Sequence, residues 1–190
     1  MIRAFIATEI PRFDELESLV DRLRKSGARI SIPKSEGMHV TLKFLGDLEE
    51  GSVTEIIGHV EQSVSGFAPF DVKVAGTGAF PNPRNPRVFW VGLDDGGFLG
   101  RIARSIDESL STMGFAKESR PFSPHITIAR VKAPSGVERA IGILKEFEEA
   151  GFGTCLVKDI RLKKSTLTPT GSIYEDLGVI NLAKGAASDK

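Results

Sequence analysis

Two short stretches decide how this chain is read: Met38-His39-Val40-Thr41-Leu42-Lys43-Phe44-Leu45 and Pro124-His125-Ile126-Thr127-Ile128-Ala129-Arg130-Val131. Both are rich in β-branched and aliphatic residues, so both read as strands. Period-two alternation puts His39 and Thr41 on one face and Val40 and Leu42 on the other, and it treats His125, Thr127, Ile126 and Ile128 in the same way. The chain has three histidines, and two of them open the same four-residue pattern, one in each half. A Thr two places after two of three histidines arises by chance only about 1% of the time, although a lone His on a strand is ordinarily a packed residue. A pseudo-twofold repeat would place two copies of one strand at these positions. Folding the halves together would turn both His-Thr faces into a shared cleft.

Working outward, four apolar stripes recur at helical spacing: Leu16, Leu19, Val20 and Leu23; Val53, Ile56, Ile57, Val60 and Val64; Leu99, Ile102, Ala103, Ile106 and Leu110; and Val137, Ala140, Ile141 and Leu144. Ser52 with Glu55 and Ser135 with Glu138 read as capping boxes that open the second and fourth helices. Strand-like runs fall near 2–9, 38–45, 70–77, 87–93, 125–131, 154–163 and 173–180. The order is β-α-β-α-β twice, with one extra strand at the end. Residues 79–87 carry three prolines and read as the linker between the repeats. The expectation is an α+β fold of two pseudo-symmetric lobes, each a small, mostly antiparallel sheet with helices on its outer face. The lobes are built roughly from residues 1–80 and 87–184, with room for strand exchange, within a single domain spanning 1–190; residues 185–190 read as a disordered tail. A doubly wound parallel fold competes less well, because no GxGxxG follows a strand and opens a helix.

Composition narrows the functions. With 25 Lys+Arg against 25 Asp+Glu, the formal net charge is zero, so any nucleic acid must be read locally and not by bulk charge. At 41% hydrophobic and 26% charged, the chain can bury a substantial core. A single cysteine, Cys155, allows neither an internal disulfide nor a CxxC motif, which points to a reducing, cytoplasmic setting. The start, MIRAFIATEI, has strand periodicity where a signal peptide would be basic and then apolar. No run approaches the roughly 18 apolar residues of a spanning helix, so no membrane partner is expected.

Two histidines with two threonines suit proton transfer. One neutral imidazole can act as general base and one imidazolium as general acid on opposite sides of a reacting centre. Thr41 and Thr127 would donate hydrogen bonds to the non-bridging oxygens of an anionic substrate. That set fits in-line displacement at phosphorus. A metal site fits less well, since two imidazoles and two hydroxyls leave a divalent cation uncompensated; no metal and no cofactor are expected.

These residues resemble the two-histidine phosphoesterases, whose signature is a pair of HxTx motifs, and within them the LigT-like RNA 2′,3′-cyclic phosphodiesterases of the 2′-5′ RNA ligase family. The opening RAFIATEIP, the extended motifs MHVTLKFLGD and RPFSPHITIAR, the mid-chain RVFWVGL and the closing Ser165-Thr166-Leu167, Gly171 and Tyr174 carry the resemblance over about residues 2–181. It implies a metal-independent phosphoric diester hydrolase that opens a 2′,3′-cyclic phosphate at an RNA 3′ end to leave a 2′-phosphate. It further implies His39 as proton donor, His125 as proton acceptor, and Thr41 and Thr127 as phosphate holders. Arg130 matches a family HxTxxR extension, although strict alternation puts it on the face opposite His125, so the role requires a strand end or a bulge. Partners implied are RNA with a cyclic phosphate terminus, including tRNA fragments, acted on by a monomer. Alternatives are reversible 2′-5′ ligation of tRNA halves and a non-catalytic RNA-end-binding protein.

Phe122, just before the second motif, is placed to stack on a base. Lys43 shares the His39 face by alternation and would meet the RNA backbone. Phe44 and Trp90 read as core, and His59 as a solvent-facing residue of the second helix. The runs Arg22-Lys25-Arg29 and Lys163-Lys164 read as solvated faces that would supply a local basic track.

Overall fold

The computed structural model describes residues 1–33, 38–168 and 171–183. In chain order the elements are β1 (Ile2–Glu9), α1 (Asp14–Lys25), a short β2 (Ile30–Ser31), β3 (His39–Leu48), α2 (Val53–Val64), β4 (Phe70–Phe80), β5 (Val88–Asp94), α3 (Phe98–Ser111), β6 (His125–Val131), α4 (Val137–Glu146), β7 (Gly151–Val157), β8 (Asp159–Thr168) and β9 (Gly171–Asn181). The two motif stretches open β3 and β6.

The helices form where the apolar stripes predict them, because each stripe buries against the sheet. Leu16, Leu19 and Leu23 of α1 and Leu99, Ile102, Ile106 and Leu110 of α3 are wholly buried. Each such side chain contributes about 1.5–3 kcal/mol relative to exposure. The first turn of α1 is acidic (Asp14, Glu15, Glu17) and its last turn basic (Arg22, Arg24, Lys25), which complements the helix dipole. The α3 start is held by Asp95, whose carboxylate accepts hydrogen bonds from the backbone N–H groups of Gly97 and Leu99.

Among the described residues the strands form one sheet in the order β7-β4-β5-β6-β3-β1-β8-β9, with β2 beside β6. Every pairing is antiparallel, which excludes the doubly wound alternative. The centre is a single pair, Val40 with Ile126. On one side of it lie β3-β1-β8-β9 and on the other β6-β5-β4-β7, so a pseudo-twofold axis passes through the second residue of each motif. The flanks do not follow the halves of the chain. Strand β4, from the first half, joins the second flank, while β8 and β9 complete the first. The helices cross too: α1 packs on α4 and β7, and α3 packs on α2 and β3.

Several expectations need correction. The run expected at 154–163 is two strands that break at Lys158, so two extra strands and not one close the fold. Residues 81–87 connect two paired strands, β4 and β5, and Arg87 N–H donates to the Phe80 carbonyl at 2.7 Å; the segment is a hairpin loop and not a linker between lobes. Neither capping box forms. Ser52 has helical backbone angles and turns its hydroxyl back onto the Glu49 carbonyl at 2.8 Å, within a 3-10 turn that precedes α2. At α4 the cap position belongs to Gly136, at φ 75°, one residue after Ser135. The tail 185–190 lies outside the described residues.

Gly136 sits where a Cβ would come within 2.7 Å of the Gly27 carbonyl oxygen and 2.9 Å of the Ala28 Cα. Replacing it by Ala therefore costs both left-handed backbone strain and a backbone clash. Gly136→Ala is expected to lower the unfolding free energy by about 1–3 kcal/mol in chemical denaturation, with the α4–α1 contact weakened first.

Candidate active site

His39 and His125 are the first residues of β3 and β6, and the Val40–Ile126 pair behind them is buried. Alternation turns Thr41 and Thr127 to the same side as the histidines, both half-buried. The two strands then depart from strict alternation at matching places. Opposite β1, Thr41 pairs with Ala7 and Lys43 with Ile6, so Leu42 is an inserted residue. Opposite β5, Thr127 pairs with Trp90 and Ala129 with Phe89, so Ile128 is inserted in the same way. Each motif thus carries a β-bulge at its fourth position, and a bulge re-aims every side chain after it.

The consequences for site residues are direct. Ile128 and Ala129 are both buried, and Arg130 emerges on the His125 side, as a phosphate-facing role would require. In β3 the same switch buries Leu42 and Lys43 and brings out Phe44. Two expectations are thereby corrected. The Lys43 ammonium does not meet solvent or backbone phosphates: its side chain is 1% exposed and donates to Asp107 Oδ1 at 2.6 Å and to the Ala116 carbonyl at 2.8 Å. Phe44 is not core but 64% exposed, at the pseudo-symmetric counterpart of Arg130. Trp90 is packed beside Phe80, with ring centroids 5.3 Å apart.

A cleft of about 940 Å³ spans the axis and is lined by both histidines, both threonines, Phe44 and Arg130. Phe122 and Tyr174 also face it. His125 Nδ1 lies 2.8 Å from the Ser123 carbonyl. A carbonyl only accepts, so Nδ1 carries a proton and Nε2 is the ring nitrogen left to face the cleft chemistry. The imidazole edge stands against Phe80, 5.0 Å between centroids. His39 is held between Phe5 at 4.9 Å and Tyr174 at 5.1 Å. Tyr174 figured in the sequence reading only among closing residues; its contact with His39 depends on the β8–β9 pairing, which no local pattern announces. His59 is not solvent-facing but half-buried, with Nδ1 2.9 Å from Ser109 Oγ across the α2–α3 interface.

Three of the five cations in the basic runs, Arg22, Lys163 and Lys164, are engaged in ion pairs, while Lys25 and Arg29 are exposed. Arg22 bridges to Glu146 at 2.7 Å. Lys163 is 5% exposed and binds Glu9 at 2.7 Å and Asp176, in a network with Arg161, which bridges Glu9, Asp159 and Asp176. The hydrogen bond to Asp159 raises the Arg161 guanidinium further above its ordinary value, against its partial burial. Among the described residues no three His, Cys, Asp or Glu side chains converge as metal ligands, and no helix is long and apolar enough to cross a membrane.

A family model described as the 2′-5′ RNA ligase superfamily matches residues 13–164. The chain belongs to the 2′-5′ RNA ligase superfamily. As a member, it is 35% identical over 183 residues to the RNA 2′,3′-cyclic phosphodiesterase of Methanothermobacter thermautotrophicus, covering 95% of this chain and 99% of that protein. It is 37% identical over 183 residues to the protein of the same name from Archaeoglobus fulgidus, covering 94% and 99%. A solved structure from Thermus thermophilus matches with a TM-score of 0.78 at 28% identity, over 97% of this chain and 100% of that one. LigT of E. coli, solved with 3′-AMP, shares the fold at a TM-score of 0.70 and 19% identity, over 95% and 98%. The α+β, LigT-like architecture is therefore that of the superfamily.

The buried Lys43–Asp107 pair ties β3 to α3 beneath this cleft. Burial works to raise the Asp107 carboxyl, but the hydrogen bond from Lys43, the Glu118 N–H and the charges of Lys43 and Lys117 outweigh it and hold the group below its ordinary value. A depressed carboxyl stabilises the fold fully above its unfolded value of about 3.9 and loses that contribution as pH falls through its lower folded value. Asp107→Asn leaves a buried ammonium without its counter-charge and is expected to cost about 3–5 kcal/mol in urea unfolding at neutral pH. The difference from the native protein should shrink on acidification below about pH 4.

Proposed function

We propose that this chain is an RNA 2′,3′-cyclic phosphodiesterase that hydrolyses a terminal cyclic phosphate to a 2′-phosphomonoester by histidine acid–base catalysis. The observation that carries the reading is the pair of matched bulged strands, which face both His-Thr pairs and Arg130 into one cleft. The superfamily membership and relatives of that name over nearly the whole chain support it.

In this mechanism His125 starts as neutral imidazole, its Nδ1–H held by the Ser123 carbonyl, and its Nε2 takes a proton from water as the water oxygen attacks phosphorus. The P–O3′ bond breaks, and His39, starting as imidazolium, passes its proton to the departing 3′ oxygen. One water is consumed, leaving a 2′-phosphate and a 3′-hydroxyl, and the two imidazoles exchange protonation states before re-equilibrating with solvent. Thr41 and Thr127 Oγ donate to the non-bridging oxygens, and Arg130 offsets the charge that grows on them. The exposed ring of Phe44, with Phe122 and Tyr174, offers faces for base stacking. The cleft is assembled from one chain, which supports a monomer as the working unit, and the lone buried thiol of Cys155 supports a cytoplasmic setting. Cyclic-phosphate ends of tRNA fragments fall within this substrate class. The same acid and base run the same displacement when a 5′-hydroxyl replaces water as nucleophile: the P–O3′ bond breaks and a 2′-5′ diester forms, the ligation the superfamily is named for.

His39→Ala and His125→Ala are each expected to lower kcat by about 10²–10⁴-fold with the fold intact by circular dichroism. Thr41→Val and Thr127→Val should each lose about 10–100-fold, since a charge-bearing oxygen loses one donor. Incubating EDTA-treated protein with an RNA oligonucleotide ending in a 2′,3′-cyclic phosphate should give 2′-phosphate product with a bell-shaped pH dependence. Retained turnover in folded His125→Ala, or a 3′-phosphate product, would overturn the mechanism.

A further inference from the structure

Hydrolysis at a terminus needs only the last nucleotide, yet the cleft extends well past the His-Thr pairs onto the side of α3. Apart from Arg130, the cations in and around it fall into two groups. Lys43, Arg161 and Lys163 are neutralised by Asp107, Glu9, Asp159 and Asp176. Arg101, Arg104 and Arg120 line the cleft, are exposed, and make no ion pair among the described residues. Arg101 and Arg104 are one helical turn apart on a stripe that runs from Gly97 through Gly100 to Asp107, roughly 15 Å of helix. The Arg101 guanidinium lies 4.2 Å from the Phe98 ring centroid, which orients it without cancelling its charge. Two carboxylates share this wall, Asp107 and Glu118, and Asp107 is already taken by Lys43.

The wall also carries an aromatic face. Phe122, three residues before His125, rests against α3 where a Cβ on Gly100 would lie 3.8 Å from its ring. The cleft lining thus holds three kinds of group: the histidines and threonines, the ring of Phe122, and unpaired guanidinium groups. These match the three kinds of group an RNA end presents: the reacting phosphate, a base, and the upstream phosphodiesters. In a protein of zero net charge, three uncompensated arginines in addition to Arg130 in one cleft are a local attraction for polyanion that the bulk charge does not supply. Guanidinium forks also match phosphate oxygens in a bidentate way.

We propose that Arg101, Arg104 and Arg120 form a track for the phosphodiester backbone upstream of the reacting terminus, so that the protein selects RNA strands over cyclic mononucleotides. The assignment rests on the function proposed above for the same cleft. The test compares wild type with R101A/R104A/R120A, on a cyclic-phosphate-terminated oligonucleotide and on a 2′,3′-cyclic mononucleotide. Equilibrium binding of a fluorescent oligonucleotide ending in a 3′-phosphate is measured in parallel against salt. Expected for the variant are a KM for the oligonucleotide raised about tenfold or more at unchanged kcat, mononucleotide constants within about twofold, and a log–log salt slope of binding smaller by about two. Equal losses on both substrates, or no loss on either, would overturn the track while leaving the hydrolase reading in place. If wild type turns over neither substrate, the hydrolase reading fails, and the binding arm decides the track: an unchanged affinity and slope in the variant would overturn it. Because all three side chains are exposed, an unaltered melting curve is expected and shows that the losses are not unfolding.

Discussion

The molecule hinges on one antiparallel contact, Val40 against Ile126. Among the described residues it is the strand pairing that joins the two four-stranded flanks, and it lies between the first and third residues of both motifs. Because the pair is buried and apolar, neither strand can slip by one residue without turning its histidine and threonine into the core. The same burial that holds the sheet together therefore sets the separation and facing of the two imidazoles. Catalytic geometry here is a by-product of register.

The bulges extend that logic. Their matched placement at Leu42 and Ile128 keeps the first three residues of each motif symmetric and then gives the two flanks different equipment. One flank presents Arg130 to the cleft and buries alanine; the other presents Phe44 and buries a lysine that it must neutralise with Asp107. A symmetric frame thus carries an asymmetric surface, as a substrate with a charged end and a flat base requires. The flank holding His39 rests on the ion network of Glu9, Arg161, Lys163 and Asp176, and the flank holding His125 rests on Phe80, Trp90 and two glycines, Gly78 and Gly92.

Much of this was legible in the sequence, and the reasons are local. The paired motifs, the helical stripes and the antiparallel α+β class all follow from side-chain period. What was not legible depends on partners far away along the chain. A bulge is defined by the opposing strand, so alternation alone put Lys43 in the cleft and Arg130 out of it, each the reverse of the structure. Lys163 read as solvated because Glu9, 154 residues away, supplies its counter-charge. The capping boxes failed for a nearer reason: at α2 a preceding 3-10 turn gives the cap residue Ser52 helical backbone angles, and at α4 an intervening glycine moves the cap one residue past Ser135, neither of which a four-residue pattern registers. The unpaired arginines of α3 were visible as residues but not as a group, since only the packing of α3 beside β3 turns them to the cleft.

The crossing of the halves has a temporal meaning. Strand β1, made before the other strands, is completed only when Ala4 to Ala7 find Lys164 to Arg161 far along the chain. Closing a loop of that length is slow compared with forming the local β-α units, and it rewards the chain only once both partners are available. Synthesis thus delivers the second motif long before the flank carrying the first is whole. His39 acquires its Tyr174 neighbour from a hairpin made after the other strands, so a nascent or truncated chain ending before about residue 170 carries both motifs and still lacks one wall of its active centre.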